Sequence, residues 1–267
     1  MSLGIVINGP EGVVLAADSR LTITVQLNNQ PPIHASFDNA TKLLSFESDC
    51  HQHVGAVTYG QAAIGLRTAH SYMPEFEQSL PNERLTIIDY ATKLSKFFLE
   101  QWRAWQDTIR VLHSGPSMTF VVSGFDENDP YGTTYLFEIP SDPAPRQQNG
   151  SNEFGIVWGG QRDVVDRILQ GYDQQLLAYV ATSLNLTPEA ILQLREALHP
   201  LTMNIPIQAM ALQDCVDLAT FFIRTTIEAQ SLTVGIRGVG GAIEVATIRK
   251  KAGFAFVSQK KIVAKVE

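Results

Sequence analysis

Ser2-Leu-Gly-Ile-Val-Ile-Asn-Gly-Pro-Glu-Gly-Val-Val-Leu-Ala-Ala-Asp18-Ser-Arg20-Leu-Thr22 is the stretch on which the fold turns. Two short apolar runs, Leu3 to Ile7 and Val13 to Ala17, flank Asn8-Gly9-Pro10-Glu11-Gly12. That spacer is turn chemistry: glycine permits positive φ, and proline fixes its own φ at a negative value. The pattern predicts a hairpin, and a hairpin brings its start close to its end. Ser2 is therefore expected beside Asp18, with Arg20 just beyond.

The position of Ser2 gives the pairing its chemical interest. Methionine before a small residue is expected to be trimmed, which leaves Ser2 with a hydroxyl and a free α-amine. An amine with a reference pKa near ~8 has a minor but usable neutral fraction near neutral pH. It can then accept the hydroxyl proton and activate the oxygen as a nucleophile. A nearby cation lowers the amine further. Lys42, in Asn39-Ala-Thr-Lys42-Leu-Leu, is the candidate, with Asp18 to pair with it and orient it. If Met1 stays on, Ser2 carries an amide and this base is absent.

Gly12-Val-Val-Leu-Ala-Ala-Asp18-Ser-Arg20-x-Thr22 resembles the opening hairpin of proteasome β-subunits, which are N-terminal-nucleophile hydrolases. Aligned without a gap, the resemblance puts the family's nucleophile at Ser2, its catalytic acidic residue at Asp18 and its supporting arginine at Arg20. The family's lysine matches Lys42 in Lys42-Leu43-Leu44. Its oxyanion donor, a backbone N–H in a Gly-rich turn, matches Gly60 in Tyr59-Gly60-Gln61. Gly240-Gly241 before an apolar strand is a further match. The resemblance implies an α+β fold, a four-layer αββα sandwich. It also implies peptide or unfolded-protein substrates, homo-oligomeric rings, a possible ATPase unfoldase as partner, and no metal or other cofactor.

Several positions depart from the family. The nucleophile is serine, not threonine. Trp158-Gly159-Gly160 stands where the family has Gly-Ser-Gly. Ile236 and Val239 stand where it has Asp and Ser. Those groups tune the N-terminal amine in the family; Ser231 and Thr233 are the nearest substitutes in sequence. Three functions fit this pattern: a peptide-bond hydrolase using Ser2, a catalytically silent proteasome-like assembly subunit, and a small-amide acylase on the same fold.

The rest of the chain agrees with a globular protein. It has 267 residues, 45% hydrophobic and 18% charged, which predicts one domain over residues 1–267. A net charge of −7 argues against a basic nucleic-acid face. No apolar run is long enough to span a membrane and no charged-then-apolar signal opens the chain. Two cysteines, Cys50 and Cys215, suit a reducing cytoplasm.

Periodicity predicts strands over 42–46, 54–58, 118–125, 133–139, 154–158, 242–248 and 253–257. It predicts helices from Gln61 to about Ser79, over 86–108, from Gly159-Gly160 to about Gln170, and over 211–230. Ile88, Ala91, Leu94, Phe98, Trp102 and Trp105 form the apolar stripe of the second of these. A helical insertion at about 182–210 contains a helix opened by Thr187-Pro-Glu and closed before Pro200. Residues 28–32 and 141–152 read as loops, His51-Gln-His53 as a surface turn without a third metal ligand, and Lys260 to Lys265 as a solvated edge.

Overall fold

The computed structural model describes residues 2–25, 33–46, 48–109, 115–150 and 153–263. The loop expected at 28–32 lies outside them. The first strands are β1 (Leu3–Gly9), β2 (Gly12–Asp18), β3 (Leu21–Val25), β4 (Ile33–Phe37), β5 (Leu43–Leu44), β6 (Val54–Gly60), β7 (Ala63–Ile64) and β8 (Arg67–Thr68). Helices α1 (Met73–Gln78) and α2 (Ile87–Ile109) follow, then β9 (Met118–Gly124), β10 (Thr133–Ile139), β11 (Asp142–Gln147) and β12 (Gly155–Gly160). Next come α3 (Asp163–Leu169), α4 (Gln174–Ser183), α5 (Pro188–Leu198) and α6 (Leu212–Ser231), with β13 (Ile243–Arg249) and β14 (Gly253–Ser258) closing the order.

Two five-stranded sheets, ordered β12-β1-β2-β13-β14 and β11-β10-β9-β6-β5, are antiparallel throughout. Every residue of β1 and β2 is buried, so these central strands are nearly all apolar instead of alternating with polar residues. Parity sorts their side chains between two cores. Leu3, Ile5, Ile7, Val14 and Ala16 pack on α3 and α6 through Val165, Val216, Ala219 and Phe222. Val6, Val13, Leu15 and Ala17 face the second sheet, against Val57, Tyr59 and Val121. The second sheet's other face, including Phe120, Val122 and Phe137, packs on α2 through Tyr90, Leu94 and Phe98. The order of layers is helices, sheet, sheet, helices. By the same parity Ser2 shares the face of Val6, toward the second sheet.

Several sequence expectations are corrected. The helix expected from Gln61 begins instead as the β7–β8 hairpin, followed by a 3-10 turn over Ala69–Tyr72 and then the short helix Met73–Gln78; Ile64 enters the core from that hairpin. The α2 stripe runs through Ile87 and Tyr90, while Ile88 is solvent-facing. Residues 142–147 form a strand despite Pro143 and Pro145, because β11 is a sheet edge where a missing N–H costs little. Gly159 and Gly160 end β12, and the helix expected from them starts three residues later as α3, with Gln170 at its C-cap. The strand expected at 42–46 is only Leu43–Leu44, and β4 was not foreseen. Helix α4, which precedes the expected insertion, was not foreseen; the Asp173 carboxylate caps it on the Leu176 N–H. Helix α5 starts as expected, with the Thr187 hydroxyl accepting from the Ala190 N–H.

His51 and His53 are buried, not on a surface turn. Their Nε2 atoms meet the carbonyls of Pro81 and Leu85, so the sequence before β6 is pinned to the segment leading into α2. Among the described residues no group of three His, Cys, Asp or Glu could hold a metal ion. Burial is the main cause that lowers His53 from its ordinary 6.5; Arg84 and His51 act in the same direction, against the Leu85 carbonyl and Asp126. Below about pH 6.5 the unfolded chain takes up a proton that the folded chain resists. Stability is expected to fall as the pH drops from about 7 to about 5.5, read as the denaturant midpoint, and His53→Asn is expected to weaken that slope.

Candidate functional site

The Asp18 carboxylate ends β2 with no solvent exposure and accepts four hydrogen bonds. Oδ1 accepts from the Leu3 N–H at 2.9 Å and from Lys42 Nζ at 2.6 Å. Oδ2 accepts from the Arg20 N–H at 3.1 Å and the Gly240 N–H at 2.9 Å. Both oxygens are thus fully used, and four chain segments meet on one anion. Burial lowers the Lys42 ammonium from its ordinary value, opposed by the charge and hydrogen bond of Asp18; Lys260 and Arg20 lower it further.

Ser2 and Lys42 wall one cavity, together with Leu21, Ala40, Thr41, Thr58, Tyr59, Gln61, Ala62, Thr68 and Ala69. Its volume is about 20 Å³, room for a single water. Ser2 itself is 3% exposed. Its carbonyl accepts from the Gln161 N–H at 2.7 Å. Gly160 stands opposite Leu3 with φ +93°, and a Cβ there would overlap the Ser2 carbonyl. The start of β1 thus requires glycine at this place.

The structure brings Ser2, Asp18 and Lys42 together as the sequence suggested. Arg20 supports from outside the cavity: its guanidinium pairs with Asp38 through Nε–Oδ1 (2.5 Å) and Nη2–Oδ2 (2.7 Å). That pairing raises Arg20 and lowers Asp38 relative to their ordinary values. Gly60 ends β6 and lines the adjoining cleft with Tyr59, Glu138, Gly160 and Arg162, not the Ser2 cavity. The Thr58 N–H donates to the Lys42 carbonyl, while the Gln61 N–H donates to Ser117 on the other side. Alternation along the ladder therefore turns the Gly60 N–H toward the side of Lys42.

Three departures from the resembled pattern gain a physical account. Gly159 faces the Tyr59 ring so closely that any Cβ would overlap its Cζ and Oη, so a serine cannot stand there beside this tyrosine. Val239 is buried in the apolar core and Ile236 is exposed. Ser231 and Thr233 do not substitute; their hydroxyls donate to the Glu228 and Gln230 carbonyls at the end of α6. An amide pair instead spans this region. Gln230 Nε2 donates to Gln161 Oε1 at 2.7 Å, and Gln230 Oε1 accepts from the Val239 N–H at 3.0 Å. Sequence reasoning missed both glutamines, since a glutamine after a Gly-Gly or near a helix end carries no local signature.

No protein-family model matches the chain, and no curated protein matches it. Among the described residues no helix is long and apolar enough to cross a membrane.

Asp18→Asn keeps the shape but removes the counter-charge and turns an amide N–H toward existing donors. Breaking a buried pair in this way is expected to destabilise by about 3–5 kcal/mol, measured by chemical denaturation. A change under about 1 kcal/mol would mean that Asp18 does not organise these segments.

Proposed function

We propose that the chain is an N-terminal-nucleophile hydrolase of the proteasome β type that cleaves peptide bonds through Ser2. The observation that carries this reading is the convergence of Ser2, Asp18 and Lys42: the buried carboxylate takes the Lys42 ammonium and the Leu3 N–H next to Ser2. The layered α+β architecture, with β1 and β2 at its centre, supports the proteasome-subunit fold that the opening hairpin resembles.

In this mechanism removal of Met1 frees the Ser2 amine. The amine takes the hydroxyl proton as Oγ attacks the substrate carbonyl carbon. The Gly60 N–H faces the developing oxyanion. The proton passes to the leaving nitrogen as the C–N bond breaks, and water then hydrolyses the acyl ester. Lys42, held cationic by Asp18, keeps the amine basicity low. The acidic limb of activity belongs to the amine, near ~8 in its reference state. The alkaline limb belongs to Lys42, and burial brings it below the ordinary lysine value of 10.5. Peptide or unfolded-protein substrates, a homo-oligomeric ring and an ATPase unfoldase belong to the same proposal.

One observation favours a second reading, a catalytically silent assembly subunit: a cavity of about 20 Å³ at Ser2 leaves no room for a peptide until it opens. Intact mass of untagged protein, taken with peptide hydrolysis, separates the two. The hydrolase reading expects a mass short by one methionine residue. It also expects activity that Ser2→Ala lowers by on the order of 10³-fold or more. Activity unchanged in Ser2→Ala would sink it, and retained Met1 with no turnover would favour the silent subunit.

A further inference from the structure

The Lys260 side chain is not the solvated edge expected of the basic tail. Its ammonium is mostly buried and uses all three donors: on Glu244 Oε1 at 3.0 Å, the Ala40 carbonyl at 3.0 Å and Thr41 Oγ1 at 3.1 Å. Ala40 and Thr41 wall the Ser2 cavity, and Lys42 follows them in the chain. Glu244 sits on β13 opposite Ala17, one position from the pairing of Ile243 with Asp18. One ammonium therefore joins three segments: β13, the stretch between β4 and β5, and the chain after β14.

We propose that Lys260 is a positioning residue of the Ser2 site, locking Ala40 and Thr41 against Glu244 so that Lys42 is held on Asp18. The proposal rests on the reading of Ser2 as the nucleophile. The Ala40 N–H donates to the Ser19 carbonyl at 2.9 Å, so this short stretch is fixed from both sides and Lys42 inherits its placement. A 1 Å displacement at such a wall can cost on the order of 100-fold in rate.

Lys260 also acts by charge. The groups that face Lys42 are Asp18, Lys260 and Arg20, the last paired with Asp38; those that face Lys260 are Glu244 and His70. Lys260 is thus a second cation behind Lys42 and makes its proton easier to lose. Glu244, almost fully buried, partly neutralises it through Oε1, while its Oε2 has no hydrogen-bond partner among the described residues.

The test is the rate of Ser2 acylation by a peptide β-lactone, followed by intact mass across the alkaline range in the full-length protein. Lys260→Met is expected to slow acylation by roughly 10- to 100-fold. It is also expected to move the alkaline limb to higher pH, because a cation has left Lys42. Lys260→Arg, which keeps the charge, is expected to return the limb to its wild-type position. Glu244→Gln is expected to move it to lower pH, and it serves as the independent variant if Lys260→Met does not fold. Wild-type rate and limb in Lys260→Met would overturn the proposal. So would a slowed variant whose limb stays in place, since that is general loosening. No adduct on the wild-type protein would instead overturn the reading of Ser2, and the proposal with it.

Discussion

A buried carboxylate with four donors is the constraint on which the rest of this structure depends. Asp18 has no water to solvate it, so its charge must be met inside the protein. The donors come from the start of β1, the turn after β2, the lead into β13 and the Lys42 ammonium. None of these segments can shift without leaving part of the anion unpaired. The start of β1 is thereby held inside a sheet.

The layers around it follow from strand parity. Odd residues of β1 feed the core under α3 and α6, while Val6 and the odd residues of β2 feed the core between the sheets. A single-residue slip of either strand would exchange its two sets, and a slip of β1 would carry Ser2 away from the second sheet. The same packing explains the glycines after Trp158. Tyr59 fills the space a side chain at Gly159 would need, and the Ser2 carbonyl fills that at Gly160. Burial, and then the charge of Glu138, raise the Tyr59 phenol well above its ordinary value, so the ring stands there as a neutral wall.

The polar groups around Ser2 differ from those the resemblance implies, yet the region is not left empty. Two glutamines link the backbone at Val239 to the residue whose N–H holds the Ser2 carbonyl. An amide pair does not titrate, so it orders this region without adding a charge beside Ser2. On the other side Asp18 pairs with Lys42, and Glu244 with Lys260.

The opening hairpin was legible because its information is local: turn residues flanked by apolar runs of strand length dictate their own pairing. The association of Ser2, Asp18 and Lys42 could be read from that hairpin and the resemblance it carries, and the long helix α2 from its apolar period. Other features were not local. The β7–β8 hairpin, the proline-bearing edge strand β11 and the burial of His51 and His53 depend on what packs against them. Gln161 and Gln230 lie far apart in the chain and acquire a role only when β12 meets the end of α6. Lys260 reads as one more charge in a basic tail, and only the sheet edges decide that it is buried on Glu244. Local pattern determined the opening hairpin and the neighbours of Ser2; tertiary structure decided which distant polar groups had to satisfy one another once water was excluded.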